Sequence, residues 1–186
     1  MQKFHNENMI TMKDFVPENH TLLRTKLNEL NIPLTMEDIT ELEYMMEYLR
    51  NSQDPVVAKK YKLRPGSGLS ANQIGLNKRM FVVLFEKGKS TEEYKLINPE
   101  IIGQSTKKIY LQEGERCLSV KGNKAGLVPR FETINVVAYN EFGEKVELTF
   151  KGYQSIIIQH EIDHLNGIMF YDHIDKKQSL KNLKSI

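Results

Sequence analysis

The sequence predicts a single α+β domain spanning residues 1–186, with mostly antiparallel sheet in the middle and a functional helix toward the carboxyl end. Three observations carry that expectation. Apolar residues recur at helical spacing over residues 36–50, and several short strand-like runs follow between Met80 and Phe150 with no helical pattern between them. A second helical segment, over residues 153–165, is closed by Asn166-Gly167. A chain of 186 residues is long enough for one core, burying roughly two thirds of its unfolded surface.

Taken in order, Thr35 followed three residues later by Asp38 is a helix start. Beyond it Ile39, Leu42, Met45, Met46 and Leu49 fall on one face, a methionine-rich stripe that reads as core. Asn51 to Pro55 ends the helix, and residues 55–61 add a further helical turn. Arg64-Pro65-Gly66-Ser67-Gly68 reads as a glycine-rich loop. Residues 80–85 (MFVVLF) form a continuous apolar run suited to a buried strand. Leu96-Ile97 and residues 108–111, 133–139 and 145–150 read as further strands, with Asn140-Glu141-Phe142-Gly143 as a hairpin loop.

Composition narrows the function classes. Hydrophobic content of 40% and charged content of 27% are ordinary for a globular protein. A formal charge of +2 gives no concentrated basic face for nucleic acid. No apolar run approaches membrane-spanning length, and the opening MQKFHNENM lacks a signal peptide's apolar stretch. The single cysteine, Cys117, cannot form an intramolecular disulfide, which fits a reducing cytoplasm.

The chemistry lies in His160-Glu161-Ile162-Asp163-His164, an H-E-x-x-H segment on the last helix. The i, i+4 spacing puts both imidazoles on one face, one turn apart, where they can share a metal ion. Glu161 then sits where it can take a proton from a water beside the ion and later deliver it to a leaving group. Ile158, Ile162 and Leu165 form a stripe that anchors the helix, while Ile156 and Ile157 lie one turn before His160 and Glu161 and are placed to wall an apolar pocket. Both also fit as plain core.

Two histidines need a third protein ligand. No glutamate follows Glu161, so the thermolysin arrangement fails. The metzincin pattern H-E-x-x-H-x-x-G-x-x-H has Gly167 in place but Phe170 at its last position, with His173 three residues too late. Asp172, Asp175 and Cys117 remain as candidates.

Three segments taken together resemble the peptide deformylase family. Glu113-Gly114-Glu115-Arg116-Cys117-Leu118-Ser119 resembles its E-G-C-L-S motif, and Gly66-Ser67-Gly68-Leu69-Ser70-Ala71-Asn72-Gln73 its G-x-G-L-A-A-x-Q motif. Residues 159–167 (QHEIDHLNG) resemble the third, in the family's order. The segment at 51–61 and the short tail are similar to the type II branch of Gram-positive bacteria. The resemblance implies Cys117, His160 and His164 as ligands of one divalent ion, Fe²⁺ by preference, with Ni²⁺, Co²⁺ or Zn²⁺ able to substitute. It implies Glu161 as acid/base and the Gln73 amide and Leu118 N–H as the oxyanion site. It also implies a pocket for methionine from Ser67, Tyr153, Ile156 and Ile157, with the peptide paired to backbone around Gly68 and Arg116. The substrates would be N-formylmethionyl nascent peptides.

Several positions depart from the family pattern. Arg116 stands where glycine precedes the cysteine, giving E-G-E-R-C in place of G-E-G-C, with Glu115 reading as an insertion. Ser67 replaces a branched apolar residue, Ser70 an alanine and Asn72 a proline or small residue. Two competing readings are a zinc peptidase and a non-catalytic homologue that engages the ribosome transiently. The second draws on Lys176, Lys177, Lys181 and Lys184, which also fit a solvated chain end.

Overall fold

Helix α1 (Met36–Gln53) begins at the expected cap. Thr35 Oγ1 accepts from the Asp38 N–H at 3.2 Å, and the Asp38 carboxylate accepts from the Thr35 N–H at 2.9 Å. This reciprocal box satisfies two donors that the first turn leaves without helical partners. Leu42, Met45, Met46 and Leu49 are fully buried, as is Tyr48. Ile39 is not: it is 36% exposed. At its level the inward surface belongs to Asp38 and Glu41, which reach the Lys78 ammonium at 2.7 and 2.6 Å, so the apolar stripe starts one turn later than spacing alone predicts. Helix α2 (Pro55–Tyr61) follows, with the Asp54 carboxylate accepting from the N–H groups of Val56 and Val57.

The computed structural model describes residues 9–88, 90–122, 125–174 and 183–186. Its larger sheet is antiparallel throughout, in the order β1 (Gly68–Ser70), β2 (Met80–Lys87), β3 (Ser90–Gln104), β6 (Thr133–Tyr139) and β7 (Lys145–Lys151). The smaller sheet joins β5 (Arg130–Phe131), β4 (Lys108–Tyr110) and β8 (Lys184–Ser185), with β8 parallel to β4. Helix α3 (Tyr153–Leu165) completes an α+β architecture.

Strand β2 explains its own apolar run. Successive side chains point to opposite faces. Met80, Val82 and Leu84 enter the core beneath α1, and Phe81, Val83 and Phe85 enter a second core with Ile134, Phe150 and α3. Both faces are covered, so no polar residue interrupts residues 80–85. The neighbouring β3 behaves in the opposite way. It runs for 15 residues, yet its burial peaks around Leu96 and Ile97, the only part the sequence pattern picked out.

Helix α3 stops where expected. Gly167 takes a left-handed φ of +74°, and a Cβ there would lie 2.6 Å from the Arg24 carbonyl carbon, so the stop doubles as a close backbone approach. No helix among the described residues is long and apolar enough to cross a membrane.

Candidate metal centre and substrate groove

Helix α3 has two working faces. Ile158, Ile162 and Leu165 pack against Phe81, Val83 and Phe150 and fix the helix beneath the larger sheet. His160, Glu161 and His164 are carried on the rest of the helix, and all three are buried. The loop after β4 brings Cys117 to them. Its Sγ lies 3.2 Å from His164 Nε2, and the candidate ligand atoms of Cys117, His160 and His164 all fall within 4.8 Å of one another. Asp172, another candidate third ligand, turns instead to Arg24 and the Met169 N–H. Asp175 lies outside the described residues. Phe170, which replaces the metzincin histidine, stacks on the His160 ring at 6.1 Å between centroids.

The donor set fits one divalent cation. Burial opposes ionisation of Cys117, but His164 and His160 outweigh it and hold the thiol well below its ordinary value, favouring the thiolate that ligates metals. His160 Nδ1 lies 2.8 Å from a Glu115 carboxylate oxygen. Burial would push that carboxyl up, but the bonds from His160 and Arg130 prevail and keep it below its usual range. An ionised carboxylate can only accept, so Nδ1 is the donor in this contact and Nε2 is the nitrogen left to face an ion. Three protein ligands are the complement of a catalytic ion rather than a structural one.

Glu115, which the motif comparison reads as an insertion, holds the first histidine. Its carboxylate also takes Arg130 Nε at 2.7 Å and Nη2 at 3.0 Å. Arg130 continues to Asp163, which meets His173 Nε2 at 2.7 Å. Burial disfavours charge on Arg130, yet the bond to Glu115 and the two facing carboxylates raise its pKa above the ordinary value. The chain His160–Glu115–Arg130–Asp163–His173 is thus a satisfied network, buried at His160, Glu115 and Arg130 and opening toward solvent at His173. Nothing in the spacing of these residues announces it, although Glu115 lies two positions before Cys117.

The cysteine loop is set by Arg64, which sequence pattern also did not single out. Its Nη1 donates to the Leu118 and Val120 carbonyls at 2.9 and 3.1 Å, and Nη2 donates to the Cys117 carbonyl at 3.2 Å. In a trans peptide the N–H points opposite to the C=O, so gripping the Cys117 carbonyl turns the Leu118 N–H away from Arg64. Gln73 approaches from the turn after β1. Its Oε1 accepts from the Ser70 N–H at 2.9 Å, while Nε2 donates to Ser119 Oγ at 3.0 Å and faces Cys117 Sγ at 3.5 Å.

A groove runs over this cluster, walled by the loop at Gly66 to Gly68, the cysteine loop and the start of α3. Ser67 Oγ and Tyr153 Oη meet at 2.8 Å across one end of it. Ile157 lines the groove. Ile156 is fully buried and is not part of the lining, because neighbouring helical residues point about 100° apart. Arg116 stands at the rim, half exposed and 4.0 Å from Glu113. Glu161 faces the groove with its pKa raised by burial, which the two histidines and Ser70 only partly offset.

Matched against protein-family models, residues 12–180 fit polypeptide deformylase. The chain belongs to the polypeptide deformylase family. Peptide deformylase 2 of Bacillus cereus is 49% identical over 170 residues, covering 91% of this chain and 92% of that one. The peptide deformylase of Macrococcus caseolyticus is 47% identical over 175 residues, covering 93% and 95%. Among solved structures, a probable peptide deformylase from Synechococcus phage S-SSM7 superposes with a TM-score of 0.71 at 30% identity, covering 86% of this chain and 98% of that one. That from Thermotoga maritima gives 0.69 at 28% identity, covering 87% and 96%. Membership of the deformylase family makes the chain a hydrolase and implies a divalent metal, which the Cys117, His160 and His164 cluster fits. Of the four lysines linked above to ribosome contact, Lys176, Lys177 and Lys181 lie outside the described residues, and Lys184 is exposed in β8.

Proposed function

We propose that the chain hydrolyses the formamide of N-formylmethionyl peptides, releasing formate and a free α-amine. The observation that carries this reading is the meeting of Cys117, His160 and His164 beside a buried Glu161 in a groove bordered by β1. The ion is inferred to be Fe²⁺, which one thiolate and two imidazoles suit, with Ni²⁺, Co²⁺ or Zn²⁺ able to replace it. When bound, the ion supplies Lewis acidity and a water acidic enough to attack near neutral pH.

The remaining work falls to the protein. Strand β1 ends the larger sheet, so an extended peptide can add beside Gly68 and run past Arg116 as a further strand. Ser67, Tyr153 and Ile157 receive the methionine side chain, with Ile156 supporting from behind. Glu161 takes the proton of the attacking water and passes it to the departing amine; its raised pKa suits a group that must do both. The Leu118 N–H and the Gln73 amide stabilise negative charge on the formyl oxygen. The natural substrates are nascent chains, which places the enzyme in the cytoplasm.

The test is formate release from formyl-Met-Ala-Ser by anaerobically purified protein, with metal analysis alongside. Formate with about one ion per chain is expected. No formate at any metal loading would favour a binding homologue, and cleavage of unformylated peptides a peptidase.

A further inference from the structure

We propose that Ser70 is a positioning residue for Glu161, anchoring one carboxylate oxygen so that the other alone handles the proton. This inference rests on the hydrolytic reading above and concerns a residue that departs from the alanine of the family pattern. Ser70 is fully buried, and its Oγ lies 2.6 Å from Glu161 Oε2 and 3.3 Å from the Glu161 carbonyl oxygen. A hydroxyl has one proton to give, and both of these neighbours are acceptors. The shorter contact, to Oε2, takes it.

The serine is itself held. Its N–H donates to Gln73 Oε1 at 2.9 Å, and its backbone is in register with Phe81 of β2. Two residues earlier on the same strand, and so on the same face, Gly68 supplies the other half of the seat. A Cβ at position 68 would lie 2.3 Å from Glu161 Oε1. The carboxylate is thus wedged against bare backbone at Oε1 and tied by a hydroxyl at Oε2.

This arrangement gives the two oxygens different jobs. The proton leaves the attacking water for Oε1, and passes from Oε1 to the α-amine as the C–N bond breaks, while Oε2 stays with Ser70. Alanine at position 70 has no donor and leaves the close approach of Gly68 as the one remaining part of this seat, so the carboxylate is held less firmly and fewer encounters are productive. Ser70 does not reach the groove, so substrate affinity should not register its loss.

The experiment compares wild type, Ser70→Ala and Ser70→Thr in steady-state formate release from formyl-Met-Ala-Ser, with metal content and thermal midpoint measured on the same preparations. Ser70→Ala should lose about tenfold in kcat, equivalent to ~1.4 kcal/mol, with KM within about twofold and metal content unchanged. Ser70→Thr, which keeps the donor, should recover kcat to within about threefold of wild type. A Ser70→Ala kcat within twofold of wild type, or a loss that follows lost metal or raised KM, overturns the proposal while leaving the deformylase reading intact. A wild type that releases no formate at any metal loading overturns both.

Discussion

The core beneath α1 and the centre on α3 lie on opposite sides of β2 and are built on different principles. Under α1, Leu42, Met45, Met46 and Leu49 meet Met80, Val82 and Leu84 in an apolar cluster, although the same helix also buries Asp38, Glu41 and Ser52. Around α3's functional face the buried groups include Glu115, Arg130, His160, Glu161 and Gln73. The first region is stabilised by area removed from water, roughly 25 cal/mol per Å² of apolar surface, and each side chain contributes much as its neighbours do. The second gains little net stability from its charges, because desolvation offsets attraction. It holds together only while every member keeps its partner. The difference is between a region that stores stability and one that spends some of it on placing reactive groups.

Changing the proposed acid/base residue should separate the two regions most sharply. Glu161→Gln is expected to reduce kcat on formyl-Met-Ala-Ser by about a thousandfold, while metal analysis still finds the ion and the melting midpoint moves little. Removing the proposed cysteine ligand comes next: Cys117→Ser should lower metal occupancy together with activity, and unchanged occupancy would mean the ligand assignment is wrong. Breaking the network behind the ligands tests the contrast from the other direction. Glu115→Ala leaves Arg130 buried with half its partners, so stability should fall by about 3–5 kcal/mol and metal affinity by about 10–100-fold. Leu42→Ala should cost a similar ~2–5 kcal/mol in denaturant unfolding, yet leave metal affinity and kcat per folded molecule unchanged. Equal metal affinities in these two variants would mean that the two regions do not differ in this way.

Acid should act first on the polar side. Burial raises the carboxyls of Glu115 and Asp163, but Arg130 and their histidine partners outweigh it and hold both below their usual values. A depressed folded-state pKa contributes stability that is present above the ordinary carboxyl range, around pH 4, and is lost as pH falls below it. Acid unfolding monitored by circular dichroism should therefore begin below about pH 4, and Glu115→Gln should flatten that dependence. The smallest effect is expected at the margin of the apolar core. Ile39→Ser should change stability by no more than about 0.5 kcal/mol, since Ile39 sits outside the packed stripe.

Much of this was legible in the sequence because it is local. The Thr35–Asp38 box, the bounds of α3 and the pairing of His160 with His164 all depend on residues within one or two turns. The alternating burial of β6 was visible for the same reason, with Ile134, Val136 and Ala138 inward. Strands β1, β5 and β8, of two or three residues each, carry no periodicity and exist because a partner strand is already in place. The Lys78 pair that displaces Ile39 from the core joins residues about forty positions apart, beyond any helical pattern.

By itself, then, the sequence determined the α+β class, the helix that carries the site, the spacing of the two candidate ligand histidines and the glutamate between them. The motif resemblance already pointed to Cys117; tertiary structure added its meeting with the two histidines while Asp172 turns to Arg24, the hold of Glu115 and Arg64, the seat that Gly68 and Ser70 make for Glu161, and the split between Ile156 and Ile157. The physical reason is one of range. Helical geometry relates neighbours at fixed angles whatever surrounds them, whereas a buried charge or ligand is placed by partners that only the closed fold brings near.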